Sequence, residues 1–216
     1  MPPVVSIVGR SGSGKTTHLE KLIGELTSRG YRIATVKHAA GGISYRDSDK
    51  DSGRHIQAGS EVTIVSTPDR AVLVRPVAEE LGLSELIRML GEDYDLILTE
   101  GFKHGDAPKI EVHRREVGDP LSEVKKIIAR VTDEPQEDKI RQFTFGEVKE
   151  LADLLESGFI QPQRERLVLY ANGAPLNLNS FPAEFIASTL LGMAAALKGV
   201  GKVKSLEVFL RRDAEQ

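Results

Sequence analysis

The sequence predicts an α/β fold in which a mostly parallel sheet is flanked by helices. Two observations predict this fold class. Short β-branched runs, typical of buried strands, alternate along the chain with segments whose apolar residues recur at helical spacing. A glycine-rich turn also joins the first of these runs directly to a helical segment. Because strands that alternate with helices are joined by crossover connections, this order favours parallel pairing.

The first half of the chain supplies four predicted strands and three predicted helices. The strands are apolar, β-branched runs at residues 4–8, 32–37, 62–66 and 71–75. The first helix follows the glycine-rich turn, and Gly30 is placed to end it. Its apolar face consists of Leu19, Leu22, Ile23 and Leu26. Two further helices are predicted at about residues 52–58 and at 77–90, whereas residues 38–50 have no periodicity and are predicted to form a loop.

The second half continues this pattern as far as residue 157. The run DLILTE, residues 95–100, is predicted to be a buried strand. Two more strands are predicted at KIEVHR, residues 109–114, and at IIARVT, residues 127–132. A helix is predicted at 147–155. We therefore assign residues 1–157 to one domain.

The composition changes near Ser157, where SGFIQPQRER combines turn-forming and polar residues and is typical of a linker. Beyond it, RLVLYA and APLNL flank Asn172–Gly173, a pair that type I′ hairpin turns prefer. A strongly apolar helix is predicted at 181–197 and a final strand at 205–210. We therefore expect a small α+β extension of ββαβ order at residues 164–216.

Composition excludes several classes of protein. The net charge is −3, so no overall basic field would draw the chain to nucleic acid or to an anionic membrane. The absence of cysteine excludes disulfides, thiolate metal sites and cysteine nucleophiles. The N-terminal residues lack the features of a secretory signal, and no apolar run reaches the roughly 20 residues that a membrane span needs. We therefore expect a cytoplasmic protein with no nucleic-acid or membrane partner.

The glycine-rich turn carries the strongest functional motif. Residues Gly9–Thr16, GRSGSGKT, fit the phosphate-binding pattern G-x-x-x-x-G-K-[ST] at every fixed position, between a strand and a helix. Glycines in such a loop allow backbone N–H groups to face phosphate oxygens. Lys15 would reach the β- and γ-phosphates of a nucleoside triphosphate, and the Thr16 hydroxyl would hold Mg²⁺. The predicted nucleotide-binding residues of the loop are Gly9, Gly12, Ser13, Gly14, Lys15, Thr16 and Thr17.

A carboxylate at the end of a neighbouring strand is the expected partner for the metal ion. Asp95 stands at the start of DLILTE and Glu100 at its end. Open α/β sheets bind ligands at the carboxyl ends of their strands, which favours Glu100 as a metal ligand and, with Lys15, as a catalytic residue. A merely solvated carboxylate is the alternative for Glu100, and a capping or surface role is expected for Asp95.

Four basic residues are candidates for contacts with a second anionic ligand: Lys37, His38, Arg54 and Lys103. An ordinary surface role is the alternative for each of them. Arg54, like Arg10, is also a candidate for an arginine that stabilises the transferred phosphoryl group, although no spacing supports either residue. His104 and His113 have no partner at metal-ligand spacing and are interpreted as ordinary histidines.

Several motifs occur together in a specific order. They are VGRSGSGKTTHLEKLI, TVKHA, KDSGRHIQAGS and DLILTEGFKHGDAPKIEVHR. Over roughly residues 4–155, the chain resembles the molybdopterin-guanine dinucleotide biosynthesis protein B family of small GTP-binding proteins. The resemblance implies a P-loop NTPase fold, GTP and Mg²⁺ as cofactors, weak GTPase activity and a homodimer. It also implies a role in attaching the nucleotide to molybdopterin, beside the nucleotidyltransferase that makes the guanine dinucleotide form of the molybdenum cofactor.

Carried over residue by residue, the resemblance matches the phosphate loop, and it matches Glu100 to the acidic strand end. It also matches Asp51 and Ser52 to an Asp-Ser pair, which makes Asp51 a candidate metal ligand. The preceding segment departs from the family's usual Pro-Gly-Lys-Asp-Ser. Asp47 and Asp49 are therefore alternatives to Asp51, and a solvated acidic loop is a further one.

The residue that would contact guanine is not marked by a motif, because no N-K-x-D stands in the sequence. Asp133, just after the strand IIARV, is the positional candidate. Its carboxylate could accept hydrogen bonds from the guanine N1 and N2 donors. A helix-capping role is the alternative.

Three functions are compatible with these motifs. The leading hypothesis is a GTP-binding accessory protein of molybdenum cofactor biosynthesis that hydrolyses GTP slowly. The second is a small-molecule kinase or ligase in which Lys103 and Lys109 hold an anionic acceptor. The third is a non-catalytic adaptor whose bound nucleotide shapes a docking surface for a cofactor nucleotidyltransferase.

Overall fold

The computed structural model describes residues 1–39, 50–163, 166–172, 174–208 and 210. The chain divides into two compact units, Met1–Arg164 and Glu165–Gln216. The first unit contains the phosphate-binding motif and all the candidate site residues.

The described residues of the first unit form eight strands and four α-helices. The strands are β1 (Val4–Val8), β2 (Ile33–Lys37), β3 (Thr63–Ser66), β4 (Ala71–Val74), β5 (Leu96–Glu100), β6 (Lys109–His113), β7 (Ile127–Thr132) and β8 (Arg141–Phe143). The helices are α1 (Lys15–Ser28), α2 (Lys50–Gln57), α3 (Leu83–Leu90) and α4 (Val148–Leu155). Six strands form one sheet in the order β2-β5-β1-β6-β7-β8, and every neighbouring pair is parallel. The predicted α/β fold with a mostly parallel sheet is confirmed.

The elements between β2 and β5 differ in detail from the prediction. β3 and β4 lie where strands are expected, but they form a separate antiparallel hairpin outside the main sheet. The helix predicted from residue 77 begins only at Leu83. Its start is fixed by the Glu85 side chain, which accepts a hydrogen bond from the Gly82 N–H at 3.0 Å. β8 is only three residues long and was not predicted.

The main sheet separates two apolar clusters. Side chains alternate between the two faces of a strand, so Leu98 of β5 faces the larger cluster and Ile97 faces the smaller one. The larger cluster is closed by α1 and α4, through residues such as Leu22 and Leu151. The smaller cluster is closed by Ile87 of α3. β5 is thus buried on both faces, as expected for a central parallel strand.

The parallel sheet brings Glu100, Lys37 and the phosphate-binding motif together at the carboxyl ends of its strands. β1 lies between β5 and β6, and its carboxyl end leads into the glycine-rich turn. Glu100, the last residue of β5, is in register with Ile7 of β1 and with Lys37 of β2. Open α/β sheets bind their ligands in the crevice at this edge.

The described residues of the second unit form a short hairpin and one helix. β9 (Tyr170–Ala171) and β10 (Ala174–Pro175) pair antiparallel, and α5 (Ser180–Ala195) follows them. The hairpin and helix agree with the prediction. The strand predicted at 205–210 is wrong for residues 205–208 and 210, which adopt no strand conformation; a strand persists only where it pairs with another. Throughout the described ranges, no helix has both the length and the apolar character needed to cross a membrane.

Candidate functional site

The glycine-rich turn between β1 and α1 forms an open loop, here named the phosphate loop (Gly9–Thr16). A Cβ at Gly9 would lie 2.3 Å from the carbonyl oxygen of Val112 in β6, so only glycine allows this close approach. Gly14 has a φ of 87°, in the left-handed region that glycine adopts without strain. A Cβ at Gly12 would meet nothing within 4 Å. The loop is therefore packed against β6 at one end and open in its middle.

α1 begins directly at the end of this loop. No side chain caps its N-terminus, and the residue in the cap position is Gly14. The first N–H groups of a helix have no partner inside the helix, and with the helix dipole they attract anions. The Lys15 ammonium donates a hydrogen bond to the Arg10 carbonyl at 2.7 Å, and Thr17 is exposed in the first turn. Backbone donors and an ammonium group on one open loop suit a phosphate chain.

Thr16 and Glu100 are in direct contact across this loop. The Thr16 hydroxyl lies 3.1 Å from each of the two carboxylate oxygens of Glu100. The Lys37 ammonium, on the neighbouring strand, lies 3.4 Å from Glu100 Oε2. The Glu100 side chain is only 14% exposed. The register of β1, β2 and β5 thus places a hydroxyl, a carboxylate and an ammonium together at the edge of the sheet.

Asp95, the alternative carboxylate, lies at the opposite end of the same strand. Its side chain accepts a hydrogen bond from the Arg32 N–H at 2.8 Å, and its own N–H donates to the Arg32 carbonyl at 2.8 Å. Asp95 therefore fixes the start of the pairing between β2 and β5, in agreement with the structural role expected for it.

The oxygen atoms of Thr16 and Glu100 fit a magnesium ion. Mg²⁺ prefers hard oxygen ligands and is commonly held by one or two protein groups together with substrate phosphates and water. Across the described part of the chain, no three His, Asp or Glu side chains form a metal-binding group. A site completed by phosphate oxygens and water is therefore the arrangement that these residues suit.

Asp51 lies in the first turn of α2 and pairs with Arg54, at 3.6 Å, on an exposed face. The two side chains are 77% and 78% exposed, respectively. The metal role of Asp51 and the ligand roles of Arg54 stay predictions. Asp47 and Asp49 lie outside the described residues.

The carboxyl ends of β6 and β7 form the other side of the site. Asp133 accepts a hydrogen bond from the Arg115 N–H at 3.0 Å, so it caps the short 3₁₀ turn Arg115–Val117. Its second oxygen lies 3.6 Å from the Arg114 guanidinium. Arg114 stacks on the Phe145 ring at 4.1 Å and borders Gly14 of the phosphate loop. A carboxylate, a guanidinium and an aromatic ring thus lie together beside the loop.

Two buried polar side chains of this region have no hydrogen-bond partner among the described residues: Ser13, through its hydroxyl, and His18, through both ring nitrogens. His18 is 2% exposed and packs edge-on against Phe145, with ring centroids 6.0 Å apart. Burial, and to a smaller degree the charge of Lys21, lowers the pKa of His18 to about 4. His18 is therefore neutral near pH 7.

The remaining basic candidates differ in their surroundings. His38 and Lys103 line a cleft beside β5, whereas Arg10 donates to the Asp119 carbonyl at 2.9 Å. His113 is buried and hydrogen-bonded to Thr132 and Gly118, which agrees with an ordinary structural histidine.

Lys109 does not suit the acceptor-binding role suggested for it. It is 1% exposed, and its ammonium donates to the carbonyl oxygens of Gly105 and Ala107 at 2.6 and 2.8 Å. Burial lowers its pKa, and Lys126 adds to this effect. Lys109 fixes the connection between β5 and β6, which corrects the kinase or ligase hypothesis in this respect.

Sequence patterns do not single out Arg114 and Phe145, whereas Phe102 is part of the motif DLILTEGFKHGDAPKIEVHR, on which the family resemblance rests. Arg114 follows the carboxyl end of β6, so the rule that selects Glu100 could have found it. Phe102 adopts a φ of 54°, which is uncommon for a residue other than glycine. No local pattern marks Phe145.

Comparisons with known proteins agree with this architecture. A model of the molybdopterin guanine dinucleotide synthesis protein B (MobB) family matches residues 4–133. The chain is 35% identical, over 157 residues, to the molybdopterin-guanine dinucleotide biosynthesis adapter protein of Haemophilus influenzae, covering 72% of this chain and 88% of the relative. It is 36% identical, over 161 residues, to the adapter protein of Escherichia coli, covering 72% and 92%.

Solved MobB structures also match the chain. A crystal structure of molybdopterin-guanine biosynthesis protein B is 31% identical, with a TM-score of 0.55, and the match covers 71% of this chain and 98% of that one. The MobB homologue of Bacillus stearothermophilus is 25% identical, with a TM-score of 0.55, and the match covers 71% and 95%. The second unit, Glu165–Gln216, lies beyond the residues that the family model matches. The chain therefore belongs to the MobB family of molybdopterin-guanine dinucleotide biosynthesis adapter proteins.

Proposed function

We propose that this protein binds GTP with Mg²⁺ at the phosphate loop and hydrolyses it slowly. The observation that carries the proposal is the contact between Thr16 and Glu100 at 3.1 Å, beside an uncapped helix N-terminus. In the complex, Lys15 would leave the Arg10 carbonyl and bind the β- and γ-phosphates. Thr16 and Glu100 would hold Mg²⁺, which when bound neutralises charge on the phosphates.

The guanine base would lie beside Asp133 and Arg114. An aspartate can accept hydrogen bonds from both guanine N1 and N2, whereas adenine offers no donor at N1. Asp133 Oδ1 already accepts one hydrogen bond from the Arg115 N–H, so the two guanine donors would use the remaining lone pairs of the carboxylate, chiefly those of Oδ2, which faces Arg114. The Arg114 guanidinium, stacked on Phe145, offers a flat surface next to it.

Hydrolysis would be slow because the two arginines considered for stabilising the transferred phosphoryl group, Arg10 and Arg54, are both engaged elsewhere. Among the described residues, Arg10 binds the Asp119 carbonyl and Arg54 pairs with Asp51. Intrinsic hydrolysis without an arginine finger is slower by about 10³- to 10⁵-fold. A partner protein could supply the missing group.

In molybdopterin-guanine dinucleotide biosynthesis, we propose that the protein assists attachment of the guanine nucleotide to molybdopterin, beside a cofactor nucleotidyltransferase. This role is supported by membership of a family whose relatives are named as adapter proteins of molybdopterin-guanine dinucleotide biosynthesis. A homodimer and a cytoplasmic location are parts of the same proposal. Light-scattering measurement of the molar mass, with and without GTP, tests the homodimer.

A non-catalytic adaptor is the second candidate function. It is favoured by the same engagement of Arg10 and Arg54, since binding without efficient hydrolysis needs only the phosphate loop and the base contacts. GTP turnover that equals the buffer background, together with GTP-dependent binding to the nucleotidyltransferase, would favour the adaptor over the GTPase.

Calorimetric titration tests nucleotide binding. We expect GTP to bind the wild type in the presence of Mg²⁺ at least about tenfold more tightly than ATP. Lys15→Ala should abolish GTP binding, whereas Lys21→Ala, an exposed lysine of the same helix, should not change it. Equal affinity for ATP and GTP would refute the proposed base selection, and unchanged GTP binding by Lys15→Ala would refute the proposed phosphate site.

A further inference from the structure

A lysine ammonium lies against the carboxylate that the proposed magnesium ion needs. Lys37 Nζ is 3.4 Å from Glu100 Oε2, and the Thr16 hydroxyl is 3.1 Å from both oxygens of the same carboxylate. The Glu100 side chain is 14% exposed, whereas the Lys37 side chain is 62% exposed. The carboxylate is therefore largely enclosed by the protein, and the lysine is the exposed member of the pair.

The backbone of Lys37 is fixed, whereas its side chain can move. Lys37 ends β2 in register with Glu100, and the next residue, His38, donates its N–H to the Glu100 carbonyl at 3.0 Å. These contacts keep the Lys37 Cα beside the proposed metal site. An ion pair with a largely exposed lysine is weak, and the flexible four-carbon stem lets the ammonium move without any change in the strand.

The charges at this site determine where the ammonium lies in a complex with Mg²⁺ and GTP. If Thr16 and Glu100 hold Mg²⁺, the Lys37 ammonium is next to a second positive charge, and the two repel each other. The triphosphate brings negative oxygens to the same place, because Thr16 directly follows Lys15, the residue proposed to bind the β- and γ-phosphates. The favourable movement of the ammonium is therefore from the carboxylate to a phosphate oxygen.

The γ-phosphate is the group that suits this ammonium. The backbone N–H groups of a phosphate loop enclose the α- and β-phosphates, so the γ-phosphate depends more on side chains and on the metal ion. GTP also carries more negative charge than GDP, and the additional charge is on the γ-phosphate. Because Glu100 is itself negatively charged and nearby, a cation that contacts the γ-phosphate offsets the repulsion between the two groups.

We propose that Lys37 is a γ-phosphate sensor: its ammonium pairs with Glu100 in the nucleotide-free protein and contacts the γ-phosphate in the GTP complex. This inference rests on the proposed function, because it needs GTP and Mg²⁺ at the phosphate loop. The contact is already made in bound GTP, so it strengthens binding without by itself accelerating hydrolysis. Lys37 thus makes the protein bind GTP in preference to GDP.

Calorimetric titration in the presence of Mg²⁺ tests the proposal, with GDP and the non-hydrolysable β,γ-imido analogue of GTP as ligands. Lys37→Met removes the charge and keeps a long, flexible side chain. We expect this variant to bind the GTP analogue about tenfold or more weakly than the wild type, the loss typical of a hydrogen bond between charged groups. It should bind GDP no more weakly than the wild type, so the preference for the analogue over GDP should fall by the same factor.

Two further variants serve as controls. Lys37→Arg keeps the positive charge and should retain a larger preference for the GTP analogue than Lys37→Met does. Lys139→Ala changes an exposed lysine between β7 and β8, and it should alter neither affinity. Thermal unfolding without nucleotide checks that each variant is folded.

A purely structural role of Lys37 gives a different result. If Lys37 only positions Glu100 for the metal ion, Lys37→Met should weaken the binding of GDP and of the GTP analogue by the same factor. An unchanged affinity ratio would therefore overturn the proposal for Lys37, whereas nucleotide binding by the wild type would still support the GTP site. If the wild type binds neither nucleotide, the GTP site itself is refuted and the inference about Lys37 falls with it.

Discussion

Thr16 Oγ1 lies 3.1 Å from both carboxylate oxygens of Glu100, although 84 residues separate the two in the chain. The pairing of β1 with β5 causes this proximity, because Glu100 is in register with Ile7, just before the phosphate loop. A hydroxyl and a largely buried carboxylate thus lie side by side, as two oxygen ligands of the proposed magnesium ion would have to. Both are held by strands and a helix rather than by a mobile loop.

Replacing Glu100 with glutamine keeps the shape of the side chain but removes its charge. We expect Glu100→Gln to weaken Mg²⁺-dependent GTP binding by about one to two orders of magnitude, the loss typical for removal of a charged partner. Binding measured in EDTA should change much less. Calorimetric titration with and without Mg²⁺ measures both values. Glu123→Gln, at an exposed position, is the control, and equal losses with and without Mg²⁺ would argue against a metal role.

Replacing Asp133 with asparagine tests base selection. Asparagine can still accept the hydrogen bond from the Arg115 N–H, so the 3₁₀ turn should persist. Its amide N–H₂ group, however, is a donor where guanine also presents donors, and it suits the O2 acceptor of xanthine. We expect Asp133→Asn to bind GTP at least about tenfold more weakly and XTP more tightly than the wild type. An unchanged ratio of GTP to XTP affinity would leave Asp133 with a capping role alone.

The central part of the site could be predicted because local rules determine it. The loop motif identifies Lys15 and Thr16, and the position of Glu100 follows from the end of a strongly apolar strand. Arg114 is the last residue of the predicted strand KIEVHR, so the same rule could have selected it. The stacking of Phe145 on Arg114 depends on the packing of segments distant in sequence, which no local pattern encodes.

The fold, like the site, is predicted where local patterns determine it and not where contacts between distant segments do. Periodicity predicts most strands and helices, yet it does not show that β3 and β4 pair with each other outside the main sheet. Periodicity also predicts that this helix begins at residue 77, because the apolar spacing starts there. α3 instead begins at Leu83, where the Glu85 side chain accepts a hydrogen bond from the Gly82 N–H. Pairing partners and caps depend on contacts that the spacing of apolar residues does not contain.

Acid should destabilise the protein through His18. The pKa of its imidazole is lowered by burial from 6.5 in the unfolded chain to about 4. As the pH falls below 6.5, the unfolded chain takes up a proton that the folded protein does not, so the stability that is fully present above pH 6.5 is lost as the pH falls toward 4. The loss from this one group is about 3 kcal/mol.

Substitution of His18 by methionine removes this titrating group. Urea denaturation at pH 7 and at pH 4 should therefore show a smaller loss of the free energy of unfolding for His18→Met than for the wild type. Leu19→Ala, a neighbouring core change that leaves His18 in place, is the control and should lose as much as the wild type. Equal losses for His18→Met and the wild type would contradict the burial effect.

A buried ion network should make Glu111 important for stability. The Arg130 guanidinium binds Glu111 at 2.8 Å and Asp138 at 2.5 Å, and the side chains of Arg130 and Glu111 are 4% and 1% exposed. Glu111→Leu leaves the arginine buried without its inner partner and should lower the free energy of unfolding by about 3–5 kcal/mol. The double variant with Arg130→Met removes both buried charges, while Asp138, at 36% exposed, can be hydrated. Urea denaturation should therefore find the double variant more stable than Glu111→Leu, whereas additive losses would show that the two charges are not coupled.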